Sequence, residues 1–473
     1  MSPSWLARSN ELGGFESGAA AALFGPVIAV VGGGIGSILI VLGVVRIWPE
    51  VARFGVAAHA TPRIDSRGER MRSRRNAERR ASLRGLSILL LAALLAGCGD
   101  AGTGPKDNGS KVLESATLSG HVTQAQATLY ALTLGASLQP VTDADMYAVR
   151  YRTTGLDGAS IAATGAVWLP ASRSSSWPTL VYMHGTSLPR SIAPSTGASL
   201  EGTSVATLVA TSGYITVLPD YIGMGTGEGV PLWQHAETEA AAGADLLRAA
   251  QELAAQKQVQ QNGKLFITGY SQGGHAAMAL HRRLQQRGEF TVTASAPMAG
   301  AYDISGTARS MLQENPAYGP AVFYTMYLLT AYNQIYHFAP SLGAIFRAPY
   351  DAVAADLLTG NFSSSAISSR LPARPQDLLQ PAFLQAMLTD ANHPVWAALK
   401  DNDVYDWKPQ APMRLFHGGA DRDVPFQNSV TAAARMQALG ADVQVVNVGA
   451  ALDHGTALIP AFLGAFAFLQ GFR

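Results

Sequence analysis

Beyond residue 111, short apolar runs alternate with stretches of helical periodicity. Tyr147–Thr153 and Ile161–Leu169 flank the turn-rich LDGAS, which predicts a hairpin. Thr179–His184 (TLVYMH), Tyr214–Leu218 (YITVL) and Lys264–Thr268 (KLFIT) read as short, apolar strands, followed by strands at 292–298, 413–417 and 442–448. Helical patterns at 235–256, 273–287, 427–439 and 456–470 separate the later ones. Strand–helix alternation implies a mostly parallel sheet covered on both faces. Sites in such sheets form at the carboxyl ends of the strands.

The leader follows a different pattern. No charge occurs from Ser17 to Val45, a 29-residue run, and spanning a bilayer takes about 20 apolar residues. Gly32 to Gly36 supply small residues of the kind that let membrane helices pack closely. Arg46 and Arg53 follow, as at a cytoplasmic end. A second signal opens at Met71: six arginines precede the charge-free run Gly85–Gly99, the pattern of a secretory signal peptide. Residues 99–111 read as a flexible polar tether.

Charge divides the same way. The 473 residues carry a net charge of +1, but residues 1–97 hold 12 Lys+Arg against 6 Asp+Glu, and residues 98–473 hold 22 against 27. An acidic body of 376 residues argues against a nucleic-acid partner. At 48% hydrophobic, the chain can bury a large core. Cys98 is the only cysteine, which excludes an intrachain disulfide and an all-cysteine metal site.

The strand KLFIT runs into Gly269-Tyr270-Ser271-Gln272-Gly273-Gly274 and then a helix. G-x-S-x-G between a strand and a helix is the nucleophile elbow of the α/β-hydrolase fold. Its turn is so tight that the positions of Gly269 and Gly273 must be small. The following helix aims N–H groups at developing negative charge. Ser271 needs a base, and in this fold the order is Ser, Asp or Glu, His. Of His337, His393, His417 and His454, only His454 lies between the last strand and the last helix. Asp421 and its rival Asp423 both follow the strand RLFHG; Asp453 adjoins His454 and is poorly placed to bond its ring. The oxyanion hole takes one backbone N–H from Gln272 and another from Gly185 or Thr186, which follow TLVYMH. His184 precedes the serine in the chain and reads as structural.

Together YRTTGLDG, YMHGTS, LPDYIGMGTGEG, GYSQGG, APMAGAYDIS, HGGADRDVP and DHGTALIP resemble the secretory lipases, a lipase and esterase family of the α/β-hydrolase fold, over roughly residues 112–473. The resemblance implies a triad of Ser271, Asp421 (in the pattern HGxxDxxVP) and His454. It implies a structural role for Asp220 in the PDYxGxG segment. About a hundred residues separate strands 292–298 and 413–417, far more than a connection needs. They are helical and aromatic, with Tyr318, Phe323, Tyr324, Tyr327, Tyr332, Tyr336 and Phe338. By the same resemblance, 303–404 is a cap over a core of 112–302 and 405–473. Phe323, Tyr327, Ala331 and Ile335 share one helical face, and Phe323 and Tyr327 are candidates for an acyl pocket.

Leu95-Ala96-Gly97-Cys98 resembles the lipobox of bacterial lipoproteins, in which the cysteine is lipidated and becomes the N-terminus. The first seventy residues, in GPVIAVVGGG and RIWPEVARFG, resemble the last helix and tail of a major facilitator transporter. That implies a fused neighbouring reading frame or a start set too early, with Met71 the true start; a real extra membrane anchor is the alternative.

The expectation is therefore a serine carboxylic ester hydrolase, lipid-anchored at the outer membrane or periplasmic face of a bacterial envelope, or held in the inner membrane by 17–45. Its substrate is an ester or lipid. No metal or organic cofactor is implied, because the triad supplies its own nucleophile. The alternatives are a serine peptidase of related fold, which usually carries a propeller or other large module, and a non-catalytic envelope lipoprotein. A transporter subunit rests on the leader alone.

Overall fold

A computed structural model of the chain describes residues 111–136, 138–313 and 319–473. The expected spanning run 17–45, the signal peptide 71–97, Cys98, the tether up to residue 110 and Tyr318 lie outside the described residues. Among the described residues no helix is long and apolar enough to cross a membrane.

Nine strands of the described chain form one sheet: β1 (Leu113–Val122), β2 (Ala144–Thr154), β3 (Ser160–Pro170), β4 (Ser176–Met183), β5 (Ile215–Pro219), β6 (Gln260–Tyr270), β7 (Ala294–Met298), β8 (Met413–Gly418) and β9 (Val443–Gly449). The spatial order is β1-β2-β3-β5-β4-β6-β7-β8-β9. The pairs β1/β2, β2/β3 and β3/β5 are antiparallel, and every pair from β5/β4 onward is parallel. This is the α/β-hydrolase fold expected from the alternation, with the 155–159 turn closing the β2–β3 hairpin. The longer helices are α1 (Gln124–Thr133), α2 (Leu200–Thr211), α3 (Ala236–Gln256), α4 (Gln272–Arg287), α5 (Ile304–Gln313), α6 (Gly319–Tyr336), α7 (Tyr350–Leu357), α8 (Pro381–Thr389), α9 (Pro394–Asp401), α10 (Gln427–Ala438) and α11 (Leu458–Gln470).

The period-two geometry of the strands divides their apolar side chains between two cores. Val181, Met183, Leu265 and Ile267 pack with α3, α4 and α10. Leu180, Tyr182 and Phe266 point the other way, against α2 and α11. That is why these strands read as continuous apolar runs.

Three elements escape the apolar pattern. β1 is an edge strand with most positions exposed or half-exposed, so it shows no clean alternation. α1 starts at a Thr123–Gln126 capping box, and α2 at Ser199, whose side chain accepts from the Gly202 N–H.

The chain between β7 and β8 builds a third apolar cluster of its own, around Met326, Tyr327, Tyr332, Phe346, Leu378 and Trp396. It reaches the rest of the body through Leu188 and Trp233, which join the same cluster.

Candidate active site

Ser271 stands between β6 and α4 with φ +60° and ψ −122°, the strained region expected of a nucleophile elbow. A Cβ at Gly273 would lie 1.9 Å from the Met183 carbonyl oxygen, and one at Gly269 would lie 2.4 Å from the same atom. Gly274 is equally constrained, 2.3 Å from the Met298 oxygen, and the motif alone did not single it out. The turn is anchored by the Ser271 N–H, which donates to Met298 O at 3.0 Å.

Three loops at strand carboxyl ends bring Ser271, Asp421 and His454 together. His454 Nε2 lies 2.8 Å from Ser271 Oγ, and His454 Nδ1 lies 2.6 Å from Asp421 Oδ2. These partners assign the proton: Nδ1–H donates to the carboxylate, leaving Nε2 free to accept from the serine hydroxyl. Asp421 is buried, and its Oδ1 accepts from the Val424 N–H at 2.9 Å. Burial alone would push this carboxyl up, but the bonds from His417 and His454 and their nearby charge outweigh it, bringing it down to about 2. For His454, burial pushes down, yet the bond to and charge of Asp421 dominate and raise it above its ordinary value.

His417 serves the triad from behind. Its Nε2–H donates to Val424 O at 2.8 Å and sits 3.2 Å from Asp421 Oδ2, while Nδ1 accepts from Ser429 Oγ at 2.8 Å. Tyr270 donates its hydroxyl to the His454 carbonyl, and its ring lies 5.1 Å from the imidazole. The Tyr270 role is not visible in sequence, because its partner comes from a distant loop; the partners of His417 are local, four to twelve residues on.

The other candidates go elsewhere. Asp423 Oδ2 accepts from Tyr324 Oη at 2.9 Å. Asp453 caps its own turn through the Thr456 N–H and hydroxyl. His393 caps α9, and His337 ends α6 at φ +51°. His184 is buried, with Nδ1 2.7 Å from Gly185 O and Nε2 3.3 Å from Asp220 O. Asp220 is wholly buried and held by Ser195 and Thr164. Burial raises its carboxyl despite those bonds.

Gly185 N–H is consumed by Glu201, at 3.0 and 3.2 Å from the two carboxylate oxygens. Thr186 and Gln272 N–H have no protein acceptor among the described residues, so this pair is open to an oxyanion. The Gln272 side chain is pinned by Glu239, its Nε2 donating to Oε1 at 2.7 Å. Glu239 is itself buried against His275, 2.9 Å from Nδ1, and His275 Nε2 lies 3.0 Å from Asn402 O. Both ring nitrogens thus lie within hydrogen-bond distance of an oxygen. Asn402 Oδ1 accepts from the Ala236 N–H, so the network ties α3, α4 and the end of α9.

Ser271 opens into an apolar pocket lined by Ile304, Met311, Leu312, Leu328 and Leu329 and bounded by Trp233, Tyr324 and Asp423. The helix α6 presents the face of Tyr324, Leu328 and Leu329 to this pocket. The candidates Phe323 and Tyr327 are displaced from it. Tyr327 is buried and stacks on Trp233, 4.9 Å between ring centres, and Phe323 lines a neighbouring cavity. α6 is apolar almost all round, so periodicity does not say which face meets the pocket. Among the described residues no cluster of three His, Cys, Asp or Glu side chains is placed to hold a metal ion.

No curated protein sequence matches the chain. Solved structures do. A protein from Legionella pneumophila assigned as a hydrolase is 27% identical, with a TM-score of 0.72, covering 76% of this chain and 98% of that one. The rice cell wall degrading esterase LipA from Xanthomonas oryzae is 25% identical, with a TM-score of 0.69, covering 77% and 97%. Candida antarctica lipase A in its closed state shares the fold at 18% identity and a TM-score of 0.57, covering 77% and 82%. Family and neighbours have a serine-type hydrolase of α/β-hydrolase fold in common. Residues 157–446 match a family model, and by that match the chain belongs to the X-Pro dipeptidyl-peptidase family, S15.

Proposed function

We propose that this protein is a serine carboxylic ester hydrolase working through Ser271, His454 and Asp421. The observation that carries the reading is the apolar pocket onto which Ser271 opens, a shape suited to an acyl chain. The similarity to an esterase at 25% identity supports it. Ser271 Oγ attacks the ester carbonyl as His454 Nε2 takes its proton. The carbonyl oxygen becomes an anion facing the N–H groups of Gln272 and Thr186. His454 then protonates the leaving alcohol, and water activated by the same base releases the acid. Acyl lipids and plant cell-wall esters both fit this chemistry. Assays on a series of p-nitrophenyl esters of increasing acyl length test it: turnover is expected, with chain-length preference separating esterase from lipase, and absence of all ester turnover would end the reading.

The base must be neutral, so kcat/KM should fall as pH drops through the raised pKa of His454, above the ordinary 6.5. Asp421→Asn removes the largest raising influence. The acid limb should then move to lower pH and kcat should drop by on the order of 10⁴-fold. An unmoved limb would mean Asp421 does not act through His454.

A second reading, cleavage of X-Pro dipeptides, is favoured by the family match over 157–446. That serine peptidases of related fold usually carry a propeller or other large module does not weigh against a match that takes in Ser271 and Asp421. We also propose lipid attachment at Cys98. Sequencing of the exported protein should find a blocked terminus there, and an intact residue 1 would refute it.

A further inference from the structure

Two cavities adjoin near the reacting serine. The apolar one reaches Ser271; the second is lined by Thr186, Pro320, Phe323, Ser364 and Ser368. Their linings share two residues, Tyr324 and Asp423, and these two are hydrogen-bonded to each other at 2.9 Å. The bond joins α6 of the insertion to the loop after β8. The tyrosine ring is held in place, stacked on Trp233 with 5.8 Å between ring centres and 6° between planes. Trp233 in turn donates its Nε1–H to Thr186 Oγ1 at 3.0 Å.

We infer that the Tyr324–Asp423 bond is a partition that assigns the two halves of an ester to separate cavities. The inference rests on the ester reading. A carbonyl oxygen facing Gln272 and Thr186 sends the acyl and alcohol portions in opposite directions from one carbon. The leucine- and methionine-lined cavity at Ser271 suits the acyl chain. The cavity beside Thr186, with two serine hydroxyls in its wall, suits the alcohol. Tyr324 and Asp423 are then specificity-determining residues, and opening the bond merges two bounded spaces into one groove.

Tyr324→Phe removes the hydroxyl and keeps the stacked ring. In p-nitrophenyl esters of increasing acyl length, the spread of kcat/KM between best and worst chain should narrow about fivefold or more, the worth of one hydrogen bond. A spread unchanged within about twofold overturns the partition. Binding decides the same point without turnover. In the Ser271→Ala protein, saturating 1-hexanol should leave the Kd of decanoate unchanged. In Ser271→Ala/Tyr324→Phe it should raise that Kd about fivefold or more. Competition already present with the bond intact, no competition after its loss, or no decanoate binding at all each overturns the proposal. If the wild type cleaves no ester, the ester reading falls, while the binding experiment still decides the partition.

Discussion

Ser271→Ala is expected to lower ester kcat on the order of 10⁴- to 10⁶-fold and to abolish covalent labelling by a fluorophosphonate. Residual turnover would come from the oxyanion donors and binding alone. The fold should barely register the change. The Ser271 hydroxyl meets His454 Nε2, whereas the elbow backbone is held by the Ser271 N–H to Met298 O and by the close approach of Gly273 to Met183. A melting temperature near that of the wild type, beside lost turnover, separates chemistry from folding. A variant retaining more than about a tenth of the activity would remove Ser271 from the mechanism.

Glu239→Ala is expected to cost about 1–3 kcal/mol in denaturant unfolding, the loss when buried hydrogen-bonding groups are left without their partner. Glu239 is 2% exposed and receives the Gln272 side chain, His275 and the Gln234 N–H. Its loss leaves the buried His275 Nδ1 and the Gln272 amide without their acceptor. It also frees the side chain of the residue whose N–H faces the oxyanion. The same cost is expected from His275→Ala, and the double variant should cost much less than the two added together. A single-variant loss under about 1 kcal/mol, or strict additivity, would show that the pair is not a coupled unit.

The sheet was legible from residue 147 onward because its central strands are buried on both faces and its connections are amphipathic helices. α4, expected over 273–287, runs Gln272–Arg287 for that reason, whereas β6, expected over Lys264–Thr268, extends over Gln260–Tyr270 because its first four residues are exposed and carry no apolar signal. β1 was not, because an edge strand with half its side chains in water carries little apolar signal. Within the site, Ser271 and His454 were legible from position in a strand–helix order. Asp421 needed the HGxxDxxVP resemblance to separate it from Asp423, since two residues of spacing cannot tell which carboxylate turns inward. Glu239, His275 and Tyr270 were out of reach, because each bonds a partner from a distant segment and no local spacing encodes such a meeting. His417 bonds within its own stretch, four residues from Asp421 and seven from Val424, but that spacing does not say which way the ring turns. The insertion shows the limit on helices: α6 is apolar almost all round, so the pocket-lining choice of Phe323 and Tyr327 fell on the neighbouring face to Tyr324, Leu328 and Leu329.

The central claim is ester over peptide chemistry at one serine. The most direct measurement is the ratio of kcat/KM for p-nitrophenyl butyrate to that for Ala-Pro-p-nitroanilide, taken on the same preparation. The account predicts a ratio on the order of 10³ or more, the discrimination available when one substrate finds its pocket and the other leaves buried groups unpaired. A ratio below one, with the anilide cleaved and the ester nearly inert, would contradict it and make the protein a peptidase in action as well as in family.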